Sequence, residues 1–66
     1  MELLINGESR QFPSPLTVAE LVGALNHAGK RMAVERNGEI VARGRHAETM
    51  LDDGDRIEIV VAVGGG

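Results

Sequence analysis

RIEIVVAVGGG, residues 56–66, decides the fold. In an extended chain Ile57, Ile59, Val61 and Val63 point to one side, while Arg56, Glu58, Val60 and Ala62 point to the other. One face is wholly apolar, and the run from Arg56 to Val63 is the longest β-branched stretch of the chain, so it reads as a strand with one face in a core. Asp52-Asp53-Gly54-Asp55 just before it is a turn by composition. At the other end of the chain Met1, Leu3 and Ile5 alternate with Glu2, Leu4 and Asn6, a second half-buried strand. Asn6-Gly7 then opens a hairpin, because both residues tolerate positive φ. Its return arm is Glu8 to Phe12, ended by Pro13-Ser14-Pro15, where two prolines remove ladder donors.

Thr17 followed by Glu20 is a capping box, and Val18, Leu21, Val22 and Leu25 fall at i, i+3, i+4 and i+7. This spacing predicts one amphipathic helix over 18–28, with Gly29 as its left-handed C-terminal cap. Met32–Arg36 and Glu39–Val41 flank Asn37-Gly38 as a second hairpin. Residues 43–51 have no clear period and read as a loop or a short helical turn. The order hairpin, helix, hairpin, strand implies an α+β domain in which the helix covers Leu3, Ile5, Ile57, Ile59 and Val61, with the opposite sheet face toward water.

A chain of 66 residues holds a single domain with a thin stability margin. Its net charge of −3 and single aromatic residue, Phe12, provide neither the basic stripe nor the stacking platform of a nucleic-acid binder. No apolar run is long enough to span a membrane, and MELLINGESR lacks the basic start of a signal peptide, so a cytoplasmic protein is expected. Without cysteine there is no disulfide or side-chain thiolate. His27 and His46 lie far apart with no ligand-like neighbours, which argues against a metal site and makes both surface residues. Asp52, Asp53 and Asp55 do not have calcium-loop spacing and are expected to be solvated and little perturbed. Arg43 and Arg45 form a solvated basic loop that could clamp an anion. No catalytic residue is visible, and the chain reads as no enzyme.

The end of the chain differs from these ordinary features. Two terminal glycines arise by chance in about 0.5% of chains, and here Gly64, Gly65 and Gly66 follow the most apolar strand directly. The division is thus a domain over 1–63 and a flexible tail over 64–66. Lacking Cβ atoms, such a tail can thread a narrow channel. Its reactive group would be the α-carboxylate of Gly66, which is a poor electrophile until a partner activates it with ATP. If the chain carries sulfur, the missing cysteine leaves only that carboxyl carbon to hold it.

LLINGE, TVAELV, AVERNGEIVARG and DDGDRIEIVVAVGGG, in that order and spacing, resemble the sulfur carrier proteins of thiamine biosynthesis, the ThiS family. The resemblance implies a ubiquitin-like β-grasp fold, a mixed sheet on one main helix with first and last strands adjacent and parallel. It also implies a cycle. A ubiquitin-activating-like enzyme adenylates Gly66 with ATP, sulfur from a cysteine desulfurase converts it to a thiocarboxylate, and thiazole synthase receives the sulfur. The chain itself would bind no cofactor and be a monomer on its own. Two relatives of the same fold stand as alternatives, the small subunit of molybdopterin synthase and a ubiquitin-like protein modifier. Ala42, where the family often has proline, and Gly44 depart from the family's usual loop residues. The alternation further suggests that Leu4, Val60 and Ala62 form an apolar docking patch on the solvent face that steers Gly64 and Gly65 into partner enzymes.

Overall fold

The computed structural model describes residues 1–25, 27 and 31–62. Five strands, β1 (Glu2–Ile5), β2 (Glu8–Gln11), β3 (Met32–Arg36), β4 (Glu39–Val41) and β5 (Arg56–Val61), form one sheet in the order β2-β1-β5-β3-β4. Only β1 and β5 run parallel, with Leu4 opposite Arg56 and Ile5 opposite Ile57; every other neighbouring pair is antiparallel. β5 therefore occupies the centre, which is where its all-apolar face is needed.

Both hairpins turn as their Asn-Gly pairs require. Asn6 and Gly7 have φ of 49° and 86°, Asn37 and Gly38 of 50° and 87°, so both residues of each turn are left-handed and match the twist of the flanking strands. The helix α1 spans Val18–Ala24 and starts at the expected capping box: Glu20 N–H donates to Thr17 Oγ1 at 3.1 Å, and Thr17 N–H donates to Glu20 Oε1 at 2.8 Å. It is shorter than the predicted 18–28. Leu25, with φ −91° and ψ 7°, closes the helix, and the His27 N–H reaches back five residues to the Val22 carbonyl. The cap predicted at Gly29 lies outside the described residues.

The helix lays Val18, Leu21 and Val22 on Leu3, Ile5, Val34, Ile57 and Ile59. Leu16 and Leu51 close one end of this core, joined by a hydrogen bond from Leu51 N–H to the Leu16 carbonyl at 2.9 Å. Leu3, Val18, Leu21, Val34 and Ile57 are completely buried. At about 2 kcal/mol for each large apolar side chain removed from water, these contacts are the main favourable term in so small a domain. Residues 43–51 contain a short 3-10 turn, Arg43–Arg45, and then run beside the start of α1, with Val18 N–H bonded to the Thr49 carbonyl. The last strand is described to Val61; Val63, predicted to continue it, lies outside the described residues.

Candidate functional site

β5 carries the groups singled out for function because it leads into the tail. Its two faces behave as the alternation predicts: Ile57 and Ile59 are buried under α1, and Val60 and Ala62 are exposed, Val60 to 66%. An exposed valine in mid-strand hides nothing of its own. Register decides its neighbours. Val60 lies opposite Ala33 of β3, and the Val34–Val41 pair puts Ala42, just past the end of β4, next to Ala33, so an apolar strip of Val60, Ala33 and Ala42 runs from β5 across β3 to the end of β4. Ala62 follows, with its N–H bonded to the Arg31 carbonyl at 2.9 Å. The next row down holds Glu58 opposite Glu35, then Ile40, 73% exposed on the edge strand.

Leu4 does not belong to this strip. It is half-buried and registers with Arg56, four residues and about 13 Å along β5 from Val60. The expectation grouped it with Val60 from strand adjacency alone, whereas the parallel offset puts β1 beside the beginning of β5 and not beside its end. Gly64, Gly65 and Gly66 lie outside the described residues.

The acidic turn also differs from its expected state. Asp52 and Asp53 are exposed, but Asp55 is buried. Its Oδ2 accepts from Arg36 Nε and from the Asp52 N–H, both at 2.8 Å, and its Oδ1 accepts from Asn37 Nδ2 at 3.0 Å. Arg36 extends the network to Asp52 Oδ2 at 2.9 Å. Burial by itself pushes the Asp55 carboxyl up, but the Asp52 amide, the Asn37 side chain and the Arg36 guanidinium together hold it below its ordinary value. Composition suggested a solvated turn; what composition cannot show is that the β3–β4 hairpin lays its arginine and asparagine across it.

The histidines are half-buried instead of lying on the surface. His46 Nε2 lies 3.1 Å from the Val41 carbonyl, and His27 lines a shallow hollow beside Ile5 and Leu25 with its Nδ1 buried and unpartnered. Arg45 forms an exposed pair with Glu48 at 3.7 Å. Among the described residues no group of three His, Asp or Glu side chains could hold a metal ion, and no helix is long and apolar enough to cross a membrane.

A five-stranded mixed sheet with parallel central strands, crossed by one helix, defines a β-grasp protein of the ubiquitin-like class. The family model for the ThiS family matches residues 3–66. Sulfur carrier protein ThiS of Bacillus subtilis is 38% identical over 65 residues, 97% of this chain and 98% of that one. Its Escherichia coli counterpart is 32% identical over the full length of both. The crystal structure of thiamine biosynthesis protein ThiS from Geobacter metallireducens superimposes with a TM-score of 0.83 at 36% identity and covers 100% of each chain. A thiazole synthase of Paramagnetospirillum magneticum is 47% identical over all 66 residues, and there the match spans only 20% of the relative's length. This chain belongs to the ThiS family.

Proposed function

We propose that this protein is the sulfur carrier of thiamine biosynthesis, with the α-carboxyl of Gly66 as the carrying group. The observation that carries this reading is the family match, which runs through the glycine tail to residue 66. The carboxylate of Gly66 attacks the α-phosphorus of ATP in an activating enzyme and displaces pyrophosphate, giving an acyl-adenylate. The outer sulfur of a persulfide supplied through a cysteine desulfurase then displaces AMP to give an acyl disulfide, and a thiol reductant cleaves its S–S bond, leaving the thiocarboxylate on Gly66. The chain is a carrier and co-substrate and not an enzyme, it binds no cofactor itself, and it works as a monomer in the cytoplasm.

Thiazole synthase is the acceptor in this reading. Support comes from the relatives of Paramagnetospirillum magneticum and Magnetococcus marinus, thiazole synthases in which a segment 47% and 36% identical to this whole chain makes up 20% of the polypeptide. A carrier that shares a chain with its acceptor is delivered at high effective concentration, and a separate carrier must dock instead. Val60 and Ala62, with Ala33 and Ala42, are the surface for that docking, and Gly64 and Gly65 thread the partner's channel.

Intact mass of the protein, before and after incubation with ATP, the activating enzyme and a sulfur donor, tests the reading. An increase matching one oxygen-to-sulfur exchange, placed on Gly66 by fragment ions, is the expected result. An unchanged mass with an enzyme active on an established carrier overturns it. Val60→Glu is expected to leave the melting temperature nearly unchanged and to weaken adenylation strongly; equal adenylation by variant and parent removes the docking strip from the account.

A further inference from the structure

β1 lies beside β5 for only two registered pairs, Leu4 with Arg56 and Ile5 with Ile57. After Ile5 the chain leaves through Asn6-Gly7, and the next β5 residue facing that side, Ile59, has passed the end of the ladder. Its backbone is paired nonetheless. The Ile59 N–H donates to Asn6 Oδ1 at 2.8 Å, and Asn6 Nδ2 donates to the Ile59 carbonyl at 3.2 Å. A carboxamide has the donor and acceptor of a peptide group, so the Asn6 side chain supplies the rung that the backbone of β1 stops short of providing.

We propose that Asn6 is a positioning residue for the carrier end of the molecule, holding β5 on its second side where the strand carries Val60 and Ala62 out toward the tail. The inference rests on the reading of Gly66 as the reacting group. β3 holds β5 along its other side through Met32–Val61 and Ala33–Val60. A strand held by one ladder can pivot about it; the Asn6 clamp adds the opposing hold immediately before Val60. Enzyme-bound reacting groups tolerate displacements of only about 1 Å, so the placement of the docking strip relative to the tail matters for productive binding.

The molecule contains its own control. Asn37 occupies the same place in the other Asn-Gly turn and also bonds β5, accepting from the Arg56 N–H at 2.9 Å on Oδ1, while its own N–H donates to the Arg56 carbonyl at 2.7 Å. That clamp is at the entrance of β5, far from the tail. Glycine at either position keeps the positive φ and removes only the side chain, which makes Asn6→Gly and Asn37→Gly a matched pair.

The experiment measures ATP–pyrophosphate exchange by the activating enzyme against the concentration of each full-length variant, together with amide hydrogen exchange, at a temperature where all are folded. Asn6→Gly is expected to raise KM about five- to tenfold, the worth of one or two hydrogen bonds, with kcat within about twofold, and to speed exchange at Ile59. Asn37→Gly is expected to lower the melting temperature at least as much, with KM within about twofold of the parent. A purely structural role moves KM for neither protein while both remain folded. The proposal is overturned if Asn6→Gly keeps the parental KM or if Asn37→Gly raises it equally. If the parent itself is not activated, the proposed function fails, and unchanged protection of Ile59 in Asn6→Gly then overturns the clamp separately.

Discussion

The two hairpins share the sequence Asn-Gly-Glu at their turns, at residues 6–8 and 37–39, and the φ angles of their Asn and Gly agree within about a degree. Each asparagine also bonds β5. What surrounds them differs: Asn6 meets bare backbone at Ile59, whereas Asn37 joins a network of Arg36 and the Asp52 amide around the buried Asp55 carboxylate. Identical local chemistry thus does two jobs, one of guiding the exit of β5 and one of anchoring its entrance. Local sequence makes the turn, and the neighbouring strand assigns its use.

Removing what both clamps hold has the largest expected effect. Ile57, fully buried between them, is expected to cost about 2–5 kcal/mol as Ile57→Ala, read by urea denaturation. A loss below about 1 kcal/mol would mean that the clamps and not the core carry β5. Next is the anchor at the entrance. Asp55→Ala removes the acceptor of Asn37 Nδ2, Arg36 Nε and the Asp52 N–H, leaving Arg36 only its bond to Asp52, and is expected to cost about 2–3 kcal/mol.

The same carboxylate gives the comparison a pH signature. Because the folded-state pKa of Asp55 is depressed, its contribution is present above the unfolded value of about 3.9 and is lost as pH falls through that value toward the folded one. Melting curves between about pH 6 and pH 2 should therefore decline more steeply for the parent than for Asp55→Asn, which has nothing to titrate there. Parallel declines would assign the acid sensitivity to another group. Asn6→Gly should decline in parallel with the parent, since its clamp contains no titrating group.

The turns themselves should respond equally. Gly7→Ala and Gly38→Ala each force a Cβ into the left-handed region at φ near +86°, and each is expected to cost about 1–2 kcal/mol by chemical denaturation. Nothing lies within 4 Å of the added carbon at either site, so a difference beyond about 0.5 kcal/mol would show that one hairpin relaxes more easily than the other. The smallest effect is expected at Ala42→Pro. Ala42 has φ −59°, already a proline value, and the alternation of the β3–β4 ladder turns its amide away from β3. The change should leave stability within about 0.5 kcal/mol of the parent or raise it slightly, by melting temperature.

Much of this fold was legible in the chain. Period-two alternation assigned the first and last strands, Asn-Gly pairs the two hairpins with β2, β3 and β4, Thr17 with Glu20 the start of the helix, and the apolar face of residues 56–63 the side of the last strand that meets the core. Each is a local signal, complete within a few residues. The helix ends before the expected residue 28: Leu25 continues the apolar stripe, but the stripe says nothing of where the backbone stops bonding. The exposure of Val60 and Ala62 is legible from alternation, and their neighbours across the sheet are not. Alternation cannot place Leu4 relative to them, because the offset of a parallel pair depends on how the helix and loops close the crossover.

By itself the sequence determined the strands, the turns and the buried face of β5, because each follows from side-chain chemistry at fixed short spacing. Only the tertiary structure decided that Val60 meets Ala33 instead of Leu4, that Asp55 is buried beneath Arg36 and Asn37, and that Asn6 completes a rung at Ile59. These are contacts between residues 18 to 53 positions apart, and register and burial at that separation are set by the packing of the whole sheet.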